Sequence, residues 1–185
     1  MGNFIRVLFV ALCFVRLNVS AQAGFDEVAE DAGIDFVAVF SDPLEFATQG
    51  GVAWFDYDND DDQDLYLTGG AAPDALFKNN GSESFTEVTV LAGFSVMDTS
   101  VYTQGVLTGD IDNDGFREVF ITTEDHNSNY LYYNNGDGTF TDISVSAGVF
   151  DGGNSGTACF GDYNLDGLVD LYVANWCVGI TEALE

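Results

Sequence analysis

Apolar positions in this chain come in short runs, and they do not keep a helical period. Runs rich in β-branched and aromatic residues at 52–55, 65–68, 75–78 and 85–89 are separated by clusters of Gly, Asn and Asp. Strands joined by turns produce this pattern. Beyond residue 23, no apolar stripe at the 3.6-residue period exceeds two turns, and proline is nearly absent. Asn80-Gly81 and Asn135-Gly136 each lie between apolar runs. Both residue types accept the positive φ of a tight turn, so each pair predicts a hairpin. The reading is all-β.

The runs repeat. Gly51-Val-Ala-Trp-Phe-Asp-Tyr-Asp-Asn-Asp-Asp-Asp-Gln-Asp-Leu-Tyr-Leu aligns with the segments starting at Gly105 and Thr157. A second block, Leu76-Phe-Lys-Asn-Asn-Gly, aligns with Leu131-Tyr-Tyr-Asn-Asn-Gly, and Ala92-Gly93 and Ala147-Gly148 close the two units. Four strands in about 54 residues is the unit of a β-propeller blade. The expected organisation is a closing strand of a preceding blade at 25–33, blades at 51–93 and 105–148, and a partial blade at 157–185. About two and a half blades cannot close a ring of four to eight. The chain therefore reads as a fragment or the N-terminal part of a longer protein.

Residues 1–23 read as a secretory signal peptide. Arg6 supplies the positive start, Val7 to Val15 the apolar stretch, and Ala21-Gln22-Ala23 the small-x-small cleavage site, with Val19-Ser20-Ala21 as an alternative. The apolar run is short of the roughly 20 residues that span a bilayer. The expected location is secreted or extracellular, with periplasm or cell surface if the source is bacterial. Cys13 leaves with the signal; Cys159 and Cys177 remain and could pair in an oxidising compartment, although two free or buried thiols is the favoured reading.

Composition sharpens the picture through charge. The 185 residues hold 31 acids and four bases, for a formal net charge of −27. Removal of Arg6 and Arg16 would take it to about −29. Affinity for phosphate backbones rests on Lys and Arg, so this balance argues against nucleic acid, and it disfavours anionic membranes. Disorder is excluded by 46% hydrophobic and 14% aromatic residues.

Thirteen of the 31 acids fall in three loops of common spacing. Positions 1, 3, 5 and 9 hold Asp56, Asp58, Asp60 and Asp64; Asp110, Asp112, Asp114 and Glu118; and Asp162, Asn164, Asp166 and Asp170. The backbone carbonyl at position 7 belongs to Asp62, Phe116 and Leu168. Such a cage of hard oxygens suits Ca²⁺, whereas Mg²⁺ usually keeps several waters. The absence of Cys and His from the loops argues against zinc or a redox metal. Gly115 and Gly167 give the sharp turn at position 6, where Asp61 stands in the first loop and must accept positive φ. An EF-hand needs a Glu at position 12 and flanking helices. Leu67, Ile121 and Val173 occupy that position between β-rich runs. Three Ca²⁺ ions would reduce the mature charge to about −23.

These Asp-x-Asp-x-Asp-Gly-x-x-Asp loops, the Asn-Asn-Gly-Asp-Gly-Thr-Phe hairpin at 134–140 and the Ala-Gly closures resemble FG-GAP/VCBS repeats. The order Phe-Asp-Glu-Val-Ala-Glu-Asp-Ala-Gly-Ile at 25–34 followed by Gly-Gly-Val-Ala-Trp-Phe-Asp at 50–56 is similar to the start of proteins of the ASPIC/UnbV (cartilage-acidic-protein-like) family. The resemblance covers essentially all of the chain after the signal. It implies an integrin-α-type propeller, commonly seven-bladed, with Ca²⁺ in the blade loops, in extracellular proteins concerned with adhesion or interaction. The departures are Asp61 for Gly, Glu118 for Asp and Asn164 for Asp, each of which could weaken a site.

The leading functional expectation is a secreted, non-catalytic, Ca²⁺-stabilised scaffold whose partner is an extracellular protein or glycan. The alternative is the propeller portion of a polysaccharide-active lyase or hydrolase with catalytic residues elsewhere. No Gly-x-Ser-x-Gly or His-Glu-x-x-His occurs, and the single histidine, His126, lies in a polar stretch that reads as a solvated loop. A third reading is a passive structural module; clustered aromatics on a blade surface would favour binding over it.

Overall fold

The computed structural model describes residues 26–39, 50–94, 101–124, 128–149 and 153–176. Ten strands are present among them. Strands β1 (Val52–Phe55), β2 (Asp64–Leu67), β3 (Ala75–Asn79) and β4 (Phe85–Glu87) form one antiparallel sheet in the order β1-β2-β3-β4. Strands β5 (Thr103–Gly109), β6 (Glu118–Thr123), β7 (Tyr130–Asn134) and β8 (Phe140–Asp142) repeat it in the order β5-β6-β7-β8. Strands β9 (Asn154–Gly161) and β10 (Asp170–Trp176) form an antiparallel pair corresponding to the first two strands of such a sheet. The all-β, four-stranded-blade reading holds. The only described helix is the single turn α1 (Ser144–Ala147), which lies in the closing segment of the second blade.

Both faces of a blade are covered. In β2, Tyr66 enters a cluster with Phe55, Tyr57, Leu76, Phe94, Val119, Ile121, Tyr132 and Phe140, whereas Leu65 and Leu67 enter a second cluster with Ile34, Ala75 and Phe77. The alternation is the period of two that a strand imposes, applied to a sheet sandwiched between neighbours. The first cluster joins residues of both blades and is their interface. Phe94, in the connection between the blades, sits at its centre, with ring centroids 5.1 Å from Tyr66 and 4.7 Å from each of Tyr132 and Phe140. Phe120 points the other way and meets Phe160 of the third unit edge to face at 6.4 Å.

Polar contacts also tie the blades together. Thr68 Oγ1 donates to the Gln104 carbonyl at 2.7 Å, and the Thr103 amide donates to the Gly70 carbonyl at 3.2 Å. Asp74 is buried and accepts from Thr103 Oγ1 of the next blade (2.6 Å), the Gly69 amide (2.8 Å) and the Tyr66 hydroxyl (3.1 Å). Burial still pushes its carboxyl up to about 6. At the equivalent place in the second blade Asn129 Oδ1 accepts the Thr123 amide at 3.1 Å, so a neutral side chain does the same task.

The Ala-Gly closures have a structural purpose. The Phe85 amide donates to the Ala32 carbonyl (2.8 Å), and the Phe140 amide to the Ala92 carbonyl (2.7 Å). Each closing turn is thereby hydrogen-bonded to the fourth strand of the following blade. Gly93, with φ +85°, lies so close that a Cβ there would stand 2.7 Å from the Phe140 carbonyl oxygen.

Two expectations are corrected in detail. No strand forms at 26–33: residues 26–28 are irregular and 29–33 turn, closed by Ala32 N to Val28 O and Ile34 N to Ala29 O (each 2.8 Å), as the matching segment of the first blade is closed by Ala92 N to Val88 O (2.8 Å). Phe25 is outside the described residues. Both predicted hairpins form, between β3 and β4 and between β7 and β8, with five-residue connections. Residues 80–84 and 135–139 connect the strands, closed by Asn80 N to Ser84 O and Asn135 N to Thr139 O, each 2.9 Å. In the first, Ser82 and Glu83 adopt positive φ in addition to Gly81. Finally, β5 and β9 begin at Thr103 and Asn154, two and three residues before the expected blade starts.

Candidate metal centres

Each acidic loop joins the first strand of its unit to the second, and all three fold by one hydrogen-bond scheme. The carboxylate at position 1 accepts the amides of positions 5 and 6: Asp60 and Asp61 to Asp56 (3.0 and 2.8 Å), Asp114 and Gly115 to Asp110 (3.1 and 3.0 Å), Asp166 and Gly167 to Asp162 (3.1 and 2.9 Å). The position-5 carboxylate accepts the amide of position 7, through Asp62, Phe116 and Leu168 at 3.0, 2.8 and 2.9 Å. The position-9 acid reaches back to the amide of position 2, from Tyr57, Ile111 and Tyr163 at 3.0, 2.9 and 3.1 Å. Acid side chains thus wind the backbone into a ring by capping its amides.

The turn needs two left-handed residues per loop. They are Asn59 (56°) and Asp61 (71°), Asn113 (62°) and Gly115 (94°), and Leu165 (62°) and Gly167 (88°). Asp61 therefore adopts the conformation that glycine takes in the other loops, as the sequence requires of it. Strands flank every loop, and Leu67, Ile121 and Val173 at position 12 lie within β2, β6 and β10. That arrangement is not an EF-hand.

The scheme draws acids at positions 1, 3 and 9 together. Asp56, Asp58 and Asp64 each offer a carboxylate oxygen within 4.8 Å of the others, as do Asp110, Asp112 and Glu118. Oxygens that bind Ca²⁺ at 2.3–2.6 Å can lie about 5 Å apart across the ion, so both groups fit it. Asp58 Oδ1 is buried without a hydrogen-bond partner, an acceptor that calls for a cation or donor. The third loop differs at position 3. Asn164 turns its Oδ1 to the Asp166 amide and its Nδ2 to Asp166 Oδ2, both at 2.9 Å.

Electrostatics at position 9 are unusual. Asp64 and Glu118 are fully buried, and burial raises both carboxyls, that of Asp64 to about 6. Neighbouring acids add to the effect, through Asp58 and Asp60 in one loop and Asp112 in the other. The third blade strand supports them: the Asn79 amide donates to Asp64 Oδ1 (2.8 Å) and the Asn134 amide to Glu118 Oε1 (3.4 Å). A divalent cation would reverse the local penalty by favouring the ionised forms.

Three features escape a reading of loop spacing alone. Asp60 does not join the three-acid group; with Asp58 it forms an ion pair to Lys78 of β3, the Asp60 contact being 2.9 Å. These hydrogen bonds raise the Lys78 ammonium well above its ordinary value and lower the Asp60 carboxyl. At the matching position of the second blade, Tyr133 donates its hydroxyl to Asp114 Oδ2 at 3.3 Å. Neighbouring loops are also linked, because Asn59 Nδ2 donates to the Gly115 carbonyl (3.2 Å) and Asn113 Nδ2 to the Gly167 carbonyl (3.0 Å). The signal for Lys78 was its rarity: beyond residue 23 the chain has only Lys78 and Arg117 as bases.

Cys159 is exposed and forms no disulfide among the described residues, while Cys177 and His126 lie outside them. No helix among the described residues is long and apolar enough to cross a membrane.

Comparison with known proteins agrees with the geometry. The FG-GAP-like repeat family matches at residues 56–121 and 110–173, each match running from one acidic loop into the next. Cartilage acidic protein 1 of Homo sapiens is 36% identical over 117 residues, 60% of this chain and 18% of that protein. The proteins of that name from Mus musculus and Xenopus tropicalis are 35% and 33% identical over the same length. The aligned part of the chain thus spans less than a fifth of these relatives. With loops, strands and spacing all matched across two units, the chain belongs to the FG-GAP-like repeat family.

Proposed function

We propose that this chain is a calcium-binding propeller segment of an extracellular protein, serving as a non-catalytic scaffold for interaction or adhesion. The observation that carries the reading is the common hydrogen-bond scheme, which gathers three carboxylates within 4.8 Å in each of two loops. Like charges held this close repel unless a cation joins them. In the first and second loops the ligands would be the acids at positions 1, 3, 5 and 9 with the carbonyls of Asp62 and Phe116. In the third they would be Asp162, Asn164, Asp166 and Asp170 with the carbonyl of Leu168. Resemblance to cartilage acidic protein 1 supports an extracellular setting, as does the signal-like segment at 1–23.

Binding by the blade surface, over a purely passive role, is supported by an open groove of about 520 Å³ beside the first blade. Its lining includes Trp54, Phe85, Asp31 and Glu83, and Trp54 is 47% exposed. An exposed aromatic flanked by carboxylates fits stacking on a sugar or an apolar side chain, with polar groups alongside.

The test is calcium titration of the chain without residues 1–23. At a hundredfold excess over Kd each occupied site adds about 2.7 kcal/mol. For a chain of this size that raises Tm by roughly 5–11 °C per site, and EGTA should reverse it. A Tm indifferent to calcium, together with no bound metal by elemental analysis, refutes the reading.

A further inference from the structure

The first loop is the most acidic of the three, holding Asp at positions 1, 3, 5, 6, 7 and 9. The first and second loops offer four acidic ligands each, and the first adds the nearby charges of Asp61 and Asp62, so charge count alone makes it the more attractive to a cation. The structure places a cation there already. The Lys78 ammonium is hydrogen-bonded to Asp58 and Asp60, two of the oxygens an ion would use, and stands 5.8 Å from the Tyr57 ring centroid. The second loop has Tyr133 at the same place, a neutral group that donates to Asp114 where Lys78 would bring a charge. Lys78 is not locked in, because its side chain is 30% exposed and its stem can swing to water.

We infer that Lys78 is a built-in counter-cation of the first loop, which holds Asp58 and Asp60 in place without metal and must be displaced by calcium. It makes the first site weaker than the second, inverting the order that acid count implies. The inference rests on the calcium reading above. An ion that takes Asp58 and Asp60 cannot share them with the ammonium, since both cations would compete for the same lone pairs and repel each other at short range. The two part-exposed ion pairs together set the penalty, each being modest. The expected handicap is about tenfold in Kd, or about 1.4 kcal/mol.

Calorimetric titration with CaCl₂ compares the full chain with K78M, and with Y133K as the reciprocal variant. K78M should tighten one site about tenfold, and Y133K should weaken another by a similar factor. Melting gives a second readout. In EGTA, K78M should melt below the parent chain, because Asp58 and Asp60 lose their counter-charge; in saturating calcium the gap should close. A purely structural lysine would lower both melting points equally and leave affinities alone, and that result overturns the inference. Calcium bound by both chains with equal affinities overturns it too while sparing the calcium reading. If neither the parent nor K78M binds calcium, the calcium reading itself falls and takes this inference with it.

Discussion

Two closing turns carry the same Ala-Gly pair at their ends but meet different surroundings, and this makes a controlled experiment. Gly93 and Gly148 have φ of +85° and +70°, so alanine at either adopts left-handed backbone. That costs about 1 kcal/mol. At Gly148 the new Cβ meets no described atom within 4 Å, and the cost stops there. At Gly93 the Cβ would lie 2.7 Å from the Phe140 carbonyl oxygen, a backbone atom that no rotamer change can move. The turn must retreat, and the 2.7 Å bond from the Phe140 amide to the buried Ala92 carbonyl stretches with it. Weakening that bond adds about 1 kcal/mol, and displacing the packed segment around Ala92 and Phe94 adds about 1 kcal/mol more. G93A should therefore lose about 3 kcal/mol against about 1 kcal/mol for G148A, or roughly 6–12 °C against 2–4 °C in Tm. Urea denaturation of the two variants in calcium measures the difference. Equal losses, within about 0.5 kcal/mol, would mean that the blades do not dock through this turn.

Other expectations follow from the same contacts. F94A empties the centre of the inter-blade aromatic cluster and should cost about 3–5 kcal/mol by denaturant unfolding; a loss below about 1 kcal/mol would remove Phe94 from that position. Asp74 has a carboxyl raised to about 6 by burial, so the folded state holds its proton over a range where the unfolded chain has released it. Its contribution to stability is thus largest at low pH and declines as pH rises from about 4 to about 6. D74N should remove that slope, seen as the difference between parent and variant melting curves in EGTA, because Asn129 already fills the equivalent place in the second blade. A parent–variant difference that does not change with pH would show that Asp74 is ionised at the same pH folded and unfolded.

The repeat itself was legible because its information is local. Ligand spacing, the left-handed turn at position 6 and the hairpin asparagines act within ten residues, and side-chain-to-backbone bonds at that range follow the residue types directly. The strand runs at 52–55 and 75–78 match β1 and β3 closely for the same reason. One local signal misled. Residues 25–33 share the motif of the closing segment, but its Ala-Gly half is a turn that docks on the next blade and not a strand. Asn-Gly marked both hairpins correctly, and the structure adds their five-residue loops, the first of which also uses Ser82 and Glu83.

The sequence by itself determined an all-β repeat of four-stranded units with three acidic loops. Tertiary structure alone decided which of the aromatic residues became the joint between blades, and that Ala-Gly turns are the docking points. It also decided that Asn59 and Asn113 bridge successive loops, and that Lys78 shares Asp58 and Asp60. These pairs lie about 20 to 56 residues apart, and they meet only when strands register and one blade packs on the next. A repeat specifies the conformation of each unit, whereas contacts between units, such as Ala32 with Phe85 and Asn59 with Gly115, form only when one copy is stacked on the next.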